Sequence, residues 1–157
     1  MEGYESISPV SVRLHELREA IGSDFCSLGV LQGEERLLYW ISASGNRSDR
    51  FRQILELPAK GLSGTVLKVG RAMTFQAESL LTSRQLQDYP IMLAEGLQSV
   101  IAVPLLEGSY TTGVLLTGDR KPRIYSLNEK ACLQEASKVI ANLLYEQRTT
   151  LTGGEQV

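Results

Sequence analysis

The sequence predicts an α+β fold. An antiparallel sheet of five to six strands carries N- and C-terminal helices on one face. Short helices and loops lie over a ligand pocket on the other. Three observations lead there. The chain begins and ends in amphipathic helical patterns, over residues 9–21 and from 126 onward. Two pairs of β-rich runs lie between them, each joined by a Gly-containing turn. The stretch 44–98 between the pairs is irregular apart from one short strand, so it reads as a cover. An irregular cover packs less completely than a long helix, which places the pocket beneath it.

Val10, Leu14, Leu17 and Ile21 recur at helical spacing, and Pro9 suits a first helical turn behind Ser8. Gly22-Ser23 breaks that helix. Residues 24–31 and 36–43 form the first hairpin, across a turn at Gly33-Glu34-Glu35. In the second strand Leu38, Trp40 and Ser42 share one face and Leu37, Tyr39 and Ile41 the other. A short helix over 49–55, capped by Ser48, leads to Pro58. A second short helix opens at Gly61 and stops at Gly70. Residues 72–76 are a strand, and 77–98 hold short helical turns. Residues 99–106 and 111–117 pair across Gly108-Ser109. Ser126-Leu127-Asn128-Glu129 reads as a capping box for the last helix. That helix sets Cys132, Ala136, Val139, Ile140, Leu143 and Leu144 on its apolar face.

The 157 residues suit a single domain, with its core over about 8–147 and a disordered polar tail over 149–157. A formal net charge of −2 with scattered basic residues argues against a nucleic-acid surface. No apolar run approaches the roughly 20 residues of a membrane span. The start Met1-Glu2-Gly3-Tyr4 lacks the basic and apolar pattern of a signal peptide, so the expected location is cytoplasmic. Cys26 and Cys132 form no CxxC pair and read as buried small hydrophobes. His15 is the single histidine, which disfavours metal and triad chemistry. No GxSxG elbow and no GxxxxGK[ST] loop is present. Asp119-Arg120-Lys121-Pro122-Arg123 reads as a solvated turn. No catalytic residue, metal or cofactor is expected.

The turn Gly61-Leu62-Ser63-Gly64 opens a helix, and helix starts present unpaired N–H groups at the positive end of the dipole. Taken with Gly96-Leu97-Gln98-Ser99-Val100-Ile101-Ala102-Val103-Pro104-Leu105, Gly113-Val114-Leu115 and the capped last helix, it resembles a GAF domain over about residues 8–147. The resemblance implies a sensory module that binds a small molecule or dimerises, and here a stand-alone receptor acting on a separate partner. Within that family the chain is similar to the nitrate-receptor proteins that work with an oxygen-sensing histidine kinase in Gram-positive nitrate regulation. This implies a nitrate pocket lined by Trp40, Leu62, Ser63, Tyr89 and Ile91, with Ser63 where those proteins carry Ala, and a sensor histidine kinase as partner.

Nitrate is planar, monovalent and weakly basic. The N–H groups of Leu62 and Ser63, the Trp40 indole and the Tyr89 hydroxyl suffice as donors, with no Lys or Arg beside them. An apolar lining without fixed charge disfavours sulfate or phosphate. Each residue also has a plainer role: Trp40 and Ile91 as core, Tyr89 as sheet cover, the glycines as turn formers. Two alternatives stand beside the sensor. One is a ligand-free association module, a homodimer through its terminal helices with Leu127 and Leu133 exposed. The other is a free methionine sulfoxide reductase using Cys26 and Cys132, although neither falls in the loops around the expected pocket.

Overall fold

Ser8 and Pro9 start the first helix as their chemistry requires. The Ser8 side chain accepts from the Ser11 N–H at 3.1 Å, and α1 runs Pro9–Ile21 to a left-handed Gly22. The computed structural model describes residues 8–57 and 60–156. Its six strands are β1 (Phe25–Gln32), β2 (Leu37–Ser44), β3 (Leu55–Glu56), β4 (Met73–Gln76), β5 (Ser99–Glu107) and β6 (Tyr110–Asp119). They form one sheet in the order β3-β2-β1-β6-β5-β4, with every neighbouring pair antiparallel. The remaining helices are α2 (Gly61–Val69), α3 (Ala77–Thr82), α4 (Pro90–Glu95) and α5 (Leu127–Gln156).

Strand alternation divides the interior in two. On one face Leu14, Leu17, Cys26, Leu28, Leu115 and Ile140 pack with α1 and α5. On the other, Leu38, Trp40, Leu62, Val66, Val100 and Leu116 pack under the cover between β2 and β5. The β1–β2 register shifts between Leu28 and Gly29. A Cβ at Gly29 would lie 2.9 Å from Leu38 Cδ2 and 3.1 Å from Trp40 Cε3. The missing side chain therefore makes room for the Trp40 ring on the sheet.

The capping box is present. Ser126 Oγ accepts from the Glu129 N–H at 3.1 Å, and Glu129 Oε1 accepts from the Ser126 N–H at 2.8 Å. That backbone bond, with Arg123 beside it, lowers the Glu129 pKa.

Four expectations need correction. Residues 49–55 do not form one helix. A 3₁₀ turn over Arg50–Gln53 gives way to β3, because the free edge of β2 offers backbone groups that Leu55–Glu56 can pair with. The last helix continues to Gln156, beyond the expected end near 147. Leu133 is fully buried and Val139 is 39% exposed, so the buried stripe is rotated from the one read by periodicity; Leu127 is exposed as expected. The break at Pro58 lies outside the described residues.

The fourth correction concerns 119–123, which is not a solvated turn. Asp119 is fully buried and receives bonds from the Asp24 N–H, Arg123 and the Tyr125 hydroxyl. Arg120 reaches the buried Glu95 of α4 at 2.6 Å, its Nε–H donates to the Glu95 carbonyl at 2.8 Å, and it also bonds the Gly45 carbonyl. Glu95 Oε1 further accepts from the Arg47 N–H. The end of β6 thus clamps the cover to the sheet.

Arg120→Ala leaves Glu95 buried without its cation. The expected loss is about 3–5 kcal/mol of unfolding free energy, read by urea denaturation. Glu95→Gln in the same background should recover part of it. A loss below about 0.5 kcal/mol, typical of exposed positions, contradicts the clamp.

Candidate functional site

The site begins with register. Glu56 of β3 sits opposite Leu38 of β2, so its side chain shares the inner face with Leu38 and, one diagonal step along, with Trp40. There Trp40 Nε1–H donates to Glu56 Oε2 at 2.6 Å. Glu56 is only 5% exposed, while its neighbours Leu55 and Leu57 are 51% and 57% exposed.

The start of α2 supplies the second wall. Gly61 has φ +69°, and a Cβ there would lie 2.1 Å from the Asp88 carbonyl oxygen and 3.9 Å from Glu56 Oε1. Only glycine accepts that backbone and that approach. The contact presses the first turn of α2 against the 3₁₀ turn Leu86–Asp88, which leads into Tyr89 and α4. Leu62 and Ser63 follow Gly61, and their N–H groups belong to the unpaired first turn. Pro90 opens α4 and sends Ile91 inward.

Trp40, Leu62, Tyr89 and Ile91 therefore fall into one buried cluster, with Ser63 fully buried on the first turn of α2. Tyr89 leans on Phe75, ring centroids 5.4 Å apart at 59°. Its phenol pKa is raised, first by burial and then by the Asp88 and Glu56 carboxylates, against the Thr65 hydroxyl. Glu56 is thus within electrostatic reach of Tyr89.

The sequence alone missed Glu56, and its presence corrects one expectation. The expected lining carried no fixed charge, yet a carboxyl group of the chain lies beside the donors expected to hold an anion. Burial raises the Glu56 pKa above the usual 4.5, while Trp40 and then the Ser63 hydroxyl and N–H pull it down. Trp40 closes a hydrogen bond; Ser63 is near without closing one. Among the described residues, Glu56 Oε1 and Ser63 Oγ are both buried with no hydrogen-bond partner. Such orphans cost about 1–3 kcal/mol each. Leu55-Glu56-Leu57 alternates as though Glu56 faced water, so only the pairing with Leu38 reverses it. Outside the carboxylate lies a recess of about 170 Å³, lined by Leu55, Glu56, Leu57, Lys60, Asp88 and Pro90.

The cysteines lie elsewhere. Cys26 is buried in the core beneath α1 and α5, and Cys132 packs against that same core. Burial pushes the Cys26 thiol pKa far up, which opposes formation of a thiolate. Among the described residues no group of three or more His, Cys, Asp or Glu is placed to hold a metal. No helix among them is long and apolar enough to cross a membrane.

Comparison with known proteins follows the same outline. The family model for the GAF domain matches residues 12–144. An NreA protein from Staphylococcus aureus, mutated in its nitrate binding site, is 33% identical; the match covers 74% of this chain and 89% of that one, with a TM-score of 0.67. A hypothetical protein from S. aureus is also 33% identical, covering 75% of this chain and 98% of its own, with a TM-score of 0.69. The GAF domain of a phosphoenolpyruvate-protein phosphotransferase from Coxiella burnetii shares the fold at 17% identity and a TM-score of 0.77, covering 96% and 92% of the two chains. A comparison with curated proteins gave no match.

Trp40→Phe removes the one closed donor to Glu56. The expected loss is about 1–3 kcal/mol of stability, larger at a pH above the folded pKa of Glu56 than at a pH below it. The sign follows from the raised carboxyl pKa. The folded state holds the Glu56 proton more tightly than the unfolded one, so stability is full below 4.5 and declines as pH rises through the folded value. Toward high pH the charged form prevails, and it suffers most from losing a donor. Urea melts at both pH values measure this, and equal losses contradict it.

Proposed function

The chain belongs to the GAF family, and we propose that it is a small-anion sensor whose ligand is nitrate and whose partner is a sensor histidine kinase. One observation carries this reading. Trp40, Leu62, Tyr89 and Ile91, which lie far apart in sequence, belong to one buried cluster, and beside it at the first turn of α2 Glu56 Oε1 and Ser63 Oγ are buried without partners among the described residues. The similarity to an S. aureus NreA protein described by its nitrate binding site supports the choice of ligand. The kinase rests on the resemblance to the nitrate-receptor subgroup.

The chemistry suits a weakly hydrated monovalent oxyanion. The Leu62 and Ser63 N–H groups and the Ser63 hydroxyl donate to its oxygens, and the α2 dipole assists. Leu62 and Ile91 exclude water, which strengthens those bonds and disfavours sulfate and phosphate. The signal is a population shift. A ligand that binds one arrangement of β3, α2 and α4 better than another shifts the surface those elements present. Chemistry on the ligand is not part of this reading, since both cysteines belong to the opposite core.

Isothermal calorimetry and thermal melts with sodium nitrate test the proposal. Nitrate at about 100-fold above its dissociation constant adds about 2.7 kcal/mol to stability, seen as a rise in Tm. Trp40→Ala should weaken binding at least tenfold while the fold persists by circular dichroism. No heat and no Tm change at millimolar nitrate, over the whole pH range in which the protein is folded, would remove nitrate as the ligand.

A further inference from the structure

The start of a helix is not by itself a binding site. Here the first turn of α2 faces two side-chain atoms, Glu56 Oε1 and Ser63 Oγ, that are buried and without partners among the described residues. One of them belongs to a carboxyl group, an anion already seated where an anion would be held. A charged Glu56 and a bound oxyanion cannot share that cradle: two like charges in a buried site repel strongly.

We infer that Glu56 sets both the selectivity and the pH response of the anion site, a monovalent oxyanion entering together with one proton that turns the Glu56 carboxylate from a competitor into a donor. This rests on the reading of α2 as the anion site. The proton comes from solvent and remains on Glu56 Oε1, because Oε2 already accepts from Trp40. The Oε1–H then donates to the anion beside the Ser63 hydroxyl. No bond within the anion forms or breaks. One proton offsets one negative charge, so dianions are left uncompensated and excluded. The recess past Lys60 and Asp88 is the way in.

Few other groups compete for this role. On β2, Trp40 faces Glu56 and does not titrate. From α2 the facing groups are Ser63 and, at its cap, Lys60. From the segment before α4 they are Asp88 and Tyr89. Burial, the largest influence on Glu56, already favours its protonated form. Burial raises the Tyr89 phenol pKa above its usual 10, so Tyr89 keeps its proton near neutrality.

The experiment is calorimetric titration of sodium nitrate, with sodium sulfate as the dianion, into the wild type and Glu56→Gln from about pH 5 to about pH 8. Glutamine keeps the acceptor for Trp40 and presents a neutral donor at the other position. Above the folded pKa of Glu56, nitrate affinity of the wild type should fall about tenfold per pH unit. Glu56→Gln should bind nitrate at nearly constant affinity and exceed the wild type at the upper pH. Wild-type heats in buffers of different ionisation enthalpy should show uptake of about one proton per nitrate, a readout that needs no variant. Nitrate binding by the wild type without pH dependence and without proton uptake overturns the role of Glu56 and leaves the anion reading standing. Wild-type binding of sulfate as strong as nitrate overturns the selectivity. Failure of both proteins to bind nitrate while folded overturns the anion reading and this inference together.

Discussion

The Trp40–Glu56 hydrogen bond joins the parts on which the site depends. It ties the edge strand β3 to β2 and points a carboxylate at the first turn of α2. Trp40 can occupy that place because Gly29 leaves space beneath its ring. The bond is short and buried, yet it satisfies only one carboxylate oxygen. A buried carboxyl group with one closed donor is an expensive arrangement in a core that otherwise packs aliphatic and aromatic side chains. Groups of this kind are often retained for a task other than stability.

The cover over this site is irregular yet firmly held. Its glycine turn at Gly61 abuts the Asp88 carbonyl, and its last helix is anchored through Glu95 to Arg120 at the end of β6. Arg120 also engages Gly45, on the loop where the cover departs from β2. Both ends of the excursion therefore meet at one guanidinium. The neighbouring Asp119–Arg123–Tyr125 group fixes the entry to α5 on the other side of the sheet. Between these anchors Lys60 and Asp88 are exposed at the rim of the recess.

Local chemistry made much of this legible. Ser8 before Pro9, the Ser126–Glu129 box and Gly70 after Val69 mark helix ends because they satisfy backbone groups within a few residues. The five expected contact residues came from the family resemblance, which rests on their order along the chain. Leu133 was misread because periodicity defines a stripe but not how far neighbouring helices and strands cover it. Asp119–Arg123 was misread because a run of charges looks solvated until its partners are known. Glu95 and Asp24, which hold part of that run, lie far from it in sequence.

By itself the sequence determined the fold class, the two helix-flanked hairpins and the glycine turn that opens α2. Each rests on periodicity, capping or backbone permissiveness, which act over short range. Tertiary structure alone decided that Glu56 faces inward. A two-residue strand has no periodicity of its own, so the pairing of Glu56 with Leu38 across the edge of β2 sets its direction. That long-range register converts an ordinary-looking acidic residue between two leucines into a buried carboxyl group at the first turn of α2.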